Sequence, residues 1–103
     1  MSYQIVKTEM ADIQIRDIIN YIADDSGSAE TALDYLDRLE HAINILSQLP
    51  YDVSEARHMA LKRKGFRVLV VERHLIFYKV KEDKTVVIHA VVDFRRDYVN
   101  LVL

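Results

Sequence analysis

The feature that most constrains the fold is a change in the spacing of apolar residues near Pro50. Before Pro50, apolar residues recur every three or four positions, which predicts helices; after Lys64 they recur every second position, which predicts strands. Helices followed by consecutive strands are typical of an α+β domain, in which the helices cover one face of an antiparallel sheet. The chain has 103 residues, 50% of them apolar, so we expect a single domain spanning residues 1–103.

The helical half begins with a short alternating strand at residues 3–7 and continues with two amphipathic helices. The first helix starts at about Met10 and is expected to end at residues 24–27, where glycine can supply a left-handed cap. Ser28 offers an N-cap oxygen to the second helix, which ends before Pro50. The short connection predicts an antiparallel helical hairpin. The second helix carries a continuous apolar stripe at steps of three and four, formed by Ala29, Ala32, Leu36, Leu39, Ile43 and Leu46.

Three strands are predicted after a polar segment at residues 51–64. They span residues 66–71, 74–81 and 85–93, and the short connections between them predict an antiparallel meander. The last strand is apolar on both faces, which predicts a central position in the sheet. Its alternation places Val86, Ile88, Ala90 and Val92 on one face and Val87, His89 and Val91 on the other. A short tail completes the order β-α-α-β-β-β, with the hairpin packed on the sheet.

The composition excludes several kinds of site. The chain has no cysteine, so it has no disulfides, thiol nucleophiles or cysteine metal ligands, as is common in reducing compartments. Gly27 and Gly65 stand alone, which excludes a glycine-rich phosphate-binding loop. No apolar run approaches the roughly 20 residues that span a bilayer, and the N-terminus lacks the pattern of a secretion signal. We expect a cytoplasmic protein without a cofactor.

The four histidines do not have the spacing of a metal-binding set, so no metal site is expected. His41 lies on the second helix, and His89 is expected to be a hydrogen-bonded residue in or beside the core. His58 and His74 lie near basic segments, and either can titrate in the range that suits a general base. Neither has an orienting partner that the sequence identifies.

The net charge of −2 conceals an uneven distribution of charge. Residues 1–55 carry 3 basic and 11 acidic residues, a balance of −8, whereas residues 56–103 carry 11 basic and 5 acidic residues, a balance of +6. A positive half favours an anionic partner, because guanidinium groups on a sheet can hold phosphates bidentately. Arg67 interrupts an apolar strand, the first of the meander, and the end of the third meander strand, near Arg95, is expected to approach the exposed surface of that first strand. The candidate target-binding residues are Lys62, Lys64, Arg67, Arg73, His74, Arg95 and Arg96.

Each of these candidates has a structural alternative. A run of basic residues such as that at residues 62–64 usually forms a solvated surface. Tyr98, which follows Arg95 and Arg96, can stack on a base or donate a proton in RNA chemistry. It can equally pack the tail against the sheet, and this second interpretation is slightly favoured.

These features, in this order, resemble the RelE/ParE superfamily of toxins from bacterial type II toxin–antitoxin systems. The resemblance covers nearly the whole chain and rests on residues 65–71 (GFRVLVV), 74–80 (HLIFYKV) and 86–98 (VVIHAVVDFRRDY). It implies a RelE/ParE-like fold and a role of the plasmid-stabilisation type. It also implies a cognate antitoxin that folds as it wraps the hairpin and sheet. The implied target is DNA gyrase or ribosome-bound mRNA.

The superfamily divides by target. RelE-like members cut mRNA in the ribosomal A site. If this chain is RelE-like, the resemblance implies catalytic roles for Arg67, Arg95 and Tyr98. ParE-like members lack this set and poison DNA gyrase. Leu69 and Leu75 stand where basic residues are common in the nucleases, and the loss of one preorganised donor typically costs about 10²–10³ in rate. The resemblance therefore favours a ParE-like toxin; an mRNA endoribonuclease and a toxin fold without toxicity are the alternatives.

Overall fold

A computed structural model describes residues 2–51, 59–96 and 102 of the protein. The chain order is β1 (Gln4–Lys7), α1 (Glu9–Ser26), α2 (Ala29–Ile45), α3 (Met59–Arg63), β2 (Arg67–Val71), β3 (His74–Val80) and β4 (Thr85–Asp93). The α+β class, the helical hairpin and the three-stranded meander are confirmed. The short helix α3 falls in the segment predicted only as polar, because five residues are too few to show a helical period.

The strands form one sheet in the order β1-β4-β3-β2. β2 pairs with β3 and β3 with β4 in the antiparallel sense, whereas β1 pairs with β4 in the parallel sense. A parallel pair requires a crossover connection, and here the hairpin is part of the chain that returns to the sheet. β4 has a neighbour on each side, as its apolar faces predict, and β2 lies at an edge.

A β-bulge changes which residues of β4 face the helices. His89 is the extra residue, because consecutive residues of β3 pair with Ile88 and Ala90. Before the bulge, Val86 and Ile88 pack with the hairpin, but after it Ala90 and Val92 belong to a cluster on the other face. The prediction that all four residues share one face is therefore wrong.

The hairpin covers one face of the sheet and forms the larger core. Its apolar stripe on α2 differs from the prediction at two places: Ala29 is exposed and Tyr35 is buried. The buried residues of this core are Ala11, Ile15, Tyr35, Leu39, Ile43, Leu46, Ile76, Tyr78, Val86, Ile88 and Val91. The other face carries a smaller cluster of Leu61, Phe66, Phe77, Ala90 and Val92, over which α3 lies. Among the described helices, none is both long and apolar enough to cross a membrane.

The helix ends follow local chemistry. α1 ends at Gly27, whose φ of 68° is the left-handed cap that the sequence predicts, and the Ser28 hydroxyl caps α2 by accepting a bond from a backbone N–H. Thr8 caps α1, a cap that the sequence pattern does not predict. Its hydroxyl accepts from the Ala11 N–H at 3.1 Å and donates to the His89 carbonyl at 3.0 Å. One side chain therefore starts α1 and attaches it to the bulge in β4.

Thr8→Val is expected to lower the free energy of unfolding by about 1–3 kcal/mol, because it keeps the side-chain shape but removes the cap and the bond to the bulge. Ser28→Ala is the matched control, since it removes a cap that makes no contact with the sheet, and it is expected to cost about 1 kcal/mol. Urea unfolding followed by circular dichroism measures both losses. An equal or smaller loss for Thr8→Val would show that the bond to the bulge adds no stability.

Candidate functional site

A groove of about 730 Å³ lies where β3 begins and β4 ends. It is bounded by α1, by α2, by the turn between β2 and β3, and by the residues that follow β4. Four of the seven predicted target-binding residues line it: Arg73, His74, Arg95 and Arg96. We call this feature the sheet-end groove.

The two sides of the sheet-end groove carry opposite charges. α1 contributes Asp17 and Asp25, together with the apolar surface of Ile18, Tyr21 and Ile22. Tyr21 is 67% exposed, so its ring is accessible to a ligand. The opposite side carries the three arginines named above together with Asp93, so its charge remains positive. A ligand lying along the groove would contact apolar surface between an acidic side and a basic side.

His74 is held in place by a tyrosine of α2. The Tyr35 hydroxyl donates to the Val71 carbonyl at 3.1 Å and lies 2.6 Å from Nδ1 of His74. The hydroxyl has a single proton, so both bonds form together when Nδ1 carries the imidazole proton and donates to the hydroxyl oxygen. In that tautomer, Nε2 of His74 holds the lone pair.

Burial sets the protonation of this pair. It raises the pKa of Tyr35 to about 12, with a further contribution from Glu72. Burial also lowers the pKa of His74, an effect that the nearby Asp93 partly offsets. Both side chains are therefore neutral at pH 7, and the hydrogen bond between them joins the hairpin to the start of β3.

Arg95 is bound to Asp93 through three hydrogen bonds. The backbone N–H of Arg95 donates to Oδ1 at 2.8 Å, Nε donates to Oδ1 at 3.0 Å, and Nη2 donates to Oδ2 at 2.9 Å. These bonds hold the pKa of Asp93 far below its usual range. Two of the guanidinium donors are thereby occupied, so an incoming anion must share Arg95 with this carboxylate or displace it.

A second ion pair closes the α2 side of the groove. Nε of Arg38 donates to Oε2 of Glu72 at 2.8 Å, and the guanidinium lies 5.2 Å from the centre of the Tyr35 ring. Glu72 has a φ of 52°, which is uncommon for a residue other than glycine and belongs to the tight turn between β2 and β3. Within the described ranges, Arg73 and Arg96 have no ion-pair partner.

The other predicted target-binding residues lie away from the groove. Arg67 begins β2 opposite Tyr78, and its guanidinium lies 4.9 Å from the centre of the Tyr51 ring. At about 3.3 Å per residue, Arg67 is roughly 13 Å from the end of β2 that adjoins the groove. Lys62 lies in α3 and Lys64 in the turn after it. Because β3 separates β2 from β4, the expected approach of the end of β4 to β2 is wrong.

The predicted catalytic set is divided accordingly. Arg67 begins β2 and Arg95 follows β4, at opposite ends of the sheet and with β3 between the two strands, so they do not converge on one point. Tyr98 and His58 fall outside the described residues, and the interpretation of each stays a prediction.

The remaining histidines have different surroundings. The His89 ring lies edge-on to Phe66, with 5.2 Å between centroids, and its buried Nε2 has no hydrogen-bond partner among the described residues. Burial, with Lys79 and Lys81, lowers the pKa of His89. His41 lines a separate groove of about 690 Å³ between β1 and the two long helices. The described residues contain no group of three or more side chains that could hold a metal ion.

Tyr21, Tyr35 and Arg38 are among the residues of the sheet-end groove that the sequence did not single out. A signal for Tyr35 was present, because it lies three residues after Ala32 and four before Leu39 and so shares their helix face. Nothing in the sequence marks Arg38 or Tyr21, whose positions depend on how the helices meet the sheet.

The fold and the comparisons with known proteins define a toxin of the RelE/ParE superfamily. Residues 5–98 match the family described as ParE toxin of type II toxin–antitoxin system, parDE. The match spans most of the chain, so this protein belongs to the ParE toxin family. Its function is accordingly that of the toxin component of a type II toxin–antitoxin system.

Two solved structures share this fold. One, from the chromosomal ParDE toxin–antitoxin system of P. aeruginosa, has a TM-score of 0.75 and 18% identity, covering 89% of this chain and 96% of that chain. The other, from a RelBE toxin–antitoxin complex of Mycobacterium tuberculosis, has a TM-score of 0.61 and 19% identity, covering 90% of this chain and 99% of that chain. At these identities the likeness establishes the fold alone. A comparison with curated proteins found no match.

Acidification from pH 7 to pH 5 is expected to lower the free energy of unfolding. Folding lowers the pKa of His74, and also that of His89, so the unfolded chain binds these protons at a higher pH than the folded chain. The stabilisation is complete above the unfolded value of about 6.5 and is lost as the pH falls from there towards the folded pKa. Urea unfolding across this range measures the loss.

His74→Gln is expected to reduce this dependence on pH, and His89→Gln reports the contribution of the other histidine. If the free energy of unfolding of His74→Gln falls as steeply with decreasing pH as that of the wild type, His74 does not contribute to the pH dependence.

Proposed function

We propose that this protein acts in the bacterial cytoplasm as a ParE-like toxin that inhibits DNA gyrase by binding, without a catalytic step. The observation that carries this proposal is the separation of the arginines. Arg67 begins β2 and Arg95 follows β4, at opposite ends of the sheet, and Arg95 is already bound to Asp93. Membership of the ParE toxin family supports the same conclusion.

The physical reason is the charge that phosphodiester cleavage requires. A pentacoordinate phosphate is stabilised by several donors aimed at one group, and each missing donor typically costs about 10²–10³ in rate. Arg67 lies roughly 13 Å along β2 from the strand end that adjoins the groove. It is therefore poorly placed to bind the same phosphate as Arg95. Leu75, half-buried on β3, supplies no charge. A binding inhibitor needs none of these groups in register; it needs a complementary surface.

The proposed partner that neutralises the toxin is a cognate antitoxin, because the similar structures come from toxin–antitoxin systems. The sheet-end groove suits a segment that becomes helical as it binds. Ile18, Tyr21 and Ile22 offer apolar contacts along α1, and Asp17 and Asp25 would pair with basic side chains of such a segment.

One observation favours a second candidate function, the cleavage of ribosome-bound mRNA. His74, neutral at pH 7, lies in the sheet-end groove with Arg73 and Arg96. If Nε2 of His74 faces the substrate, it can accept a proton while the arginines bind phosphate.

Purified toxin is expected to inhibit DNA supercoiling by gyrase and to leave ribosome-bound mRNA intact. The control is the same assay with the cognate antitoxin added, which is expected to restore supercoiling. Cleavage at A-site codons with normal supercoiling would contradict the proposal and establish the nuclease. Normal results in both assays, together with no growth arrest when the toxin is expressed without its antitoxin, would identify a toxin fold without toxicity.

The basic side of the sheet-end groove is expected to contribute to inhibition. Replacing Arg73 and Arg96 by Gln together should weaken gyrase inhibition about tenfold, because both guanidinium groups are open to a partner. Arg16→Gln, at an exposed arginine on α1, is the matched control and should inhibit like the wild type. Equal inhibition by the double variant would show that the target binds elsewhere.

A further inference from the structure

The sheet face away from the hairpin is only partly covered. α3 and Val102 pack over its middle, where Phe66 and Phe77 are buried. In the part of the chain that the structure describes, this cover does not reach the turn between β2 and β3. There, Val70 is 63% exposed and Phe94 is 51% exposed.

Val70 and Phe94 are the exposed members of an apolar row across three strands, in which Leu75 is half-buried and Val92 is buried. Val70 pairs with Leu75, and Leu75 pairs with Val92, so the three lie side by side on one face. Phe94 lies two residues beyond Val92, and its N–H donates to the Arg73 carbonyl at 2.9 Å, which extends the ladder past the end of β4. We call Val70, Leu75, Val92 and Phe94 the outer apolar row.

The charges around the outer apolar row are basic. Strand alternation places Lys79 on this face, where its ammonium group lies 4.5 Å from the centre of the Phe66 ring. Arg73 and Arg96 flank Phe94, at the boundary between this face and the sheet-end groove. The nearest acidic residues, Glu72 and Asp93, are paired with arginines. In their described residues, β2, β3 and β4 present no acidic side chain on this face.

An apolar surface with a basic rim fits a protein better than a nucleic acid. Phosphates gain nothing from contact with valine or leucine side chains, whereas clustered exposed apolar residues mark sites of protein contact. Such sites place aromatic and aliphatic side chains at the centre and charges at the rim. The basic rim calls for a partner whose own apolar patch is bordered by carboxylates.

We propose that the outer apolar row docks the protein target of the toxin, an acid-rimmed apolar surface of DNA gyrase. This inference rests on the proposed function and adds the surface through which it acts. The row lies on the opposite side of the sheet from α1 and α2. Target and antitoxin would therefore contact different faces, meeting only at Arg73 and Arg96.

The test is to place a negative charge in the row. Val70→Glu and Phe94→Glu are each expected to weaken gyrase inhibition about tenfold or more, because each introduces a desolvated, unpaired carboxylate opposite acidic side chains. Both should bind the cognate antitoxin within about twofold of the wild type, which also shows that they fold. Leu33→Glu is the matched control: Leu33 is 55% exposed on α2, and this variant should inhibit gyrase normally. Val70→Thr, which keeps the shape of the strand residue, tests the row if a glutamate variant fails to fold.

The outcomes separate the two proposals. If the wild type inhibits gyrase and the glutamate variants inhibit it equally well, the outer apolar row is not the docking surface and the proposed function stands. If the wild type does not inhibit gyrase, the proposed function and this inference both fail. A variant that loses antitoxin binding instead would assign the row to the antitoxin. A wild-type dimer that Val70→Glu converts to a monomer in sedimentation equilibrium would assign it to a second copy of this chain.

Discussion

The Thr8 hydroxyl connects the helical half of this fold to the sheet, and the sheet-end groove depends on that connection. The bulge at His89 interrupts the regular ladder, and α1 supplies partners for the backbone there. Thr8 donates to the His89 carbonyl, and Oε1 of Gln14 accepts from the Val91 N–H at 2.7 Å. Beyond the bulge the alternation of β4 is reversed, which brings Asp93 to the side where His74 lies. In a regular strand Asp93 would face away from the hairpin, and the sheet-end groove would lack its ion pair.

Much of the architecture could be predicted because its signals are repeated. The stripe on α2 repeats over several turns, Gly27 lies where a left-handed cap is needed, and β4 is apolar on both faces. The bulge could not be predicted, because β4 is apolar on both faces. A reversal of which residues face the hairpin therefore does not change the pattern of apolar residues. The separation of Arg67 from Arg95 depends on strand order and register. The basic residues of the sequence indicate neither strand order nor register. The predicted target-binding set therefore combines four residues of the groove with three that lie elsewhere.

The uneven charge of the chain acquires a spatial meaning in the folded protein. The acidic half is largely the hairpin, and its α1 side chains form one side of the sheet-end groove. The basic half supplies the other side of the groove and the rim of the outer apolar row. Under the proposed function this toxin is recognised by two proteins, its antitoxin and DNA gyrase, and a hairpin and a sheet of opposite charge would allow each to be recognised by different chemistry.

The pairing of Asp93 with Arg95 determines which kinds of ligand can use the end of β4. The carboxylate is attached two residues from the guanidinium, so its effective concentration is high and does not fall when the protein is diluted. A small free anion must compete with this intramolecular partner and gains little. A large partner can contact Arg73, Arg95 and Arg96 at once. Its contacts with two of the arginines then hold its carboxylates near the third at a high effective concentration. The turn after β4 therefore favours ligands that make several contacts at once, such as extended protein surfaces, over single ions.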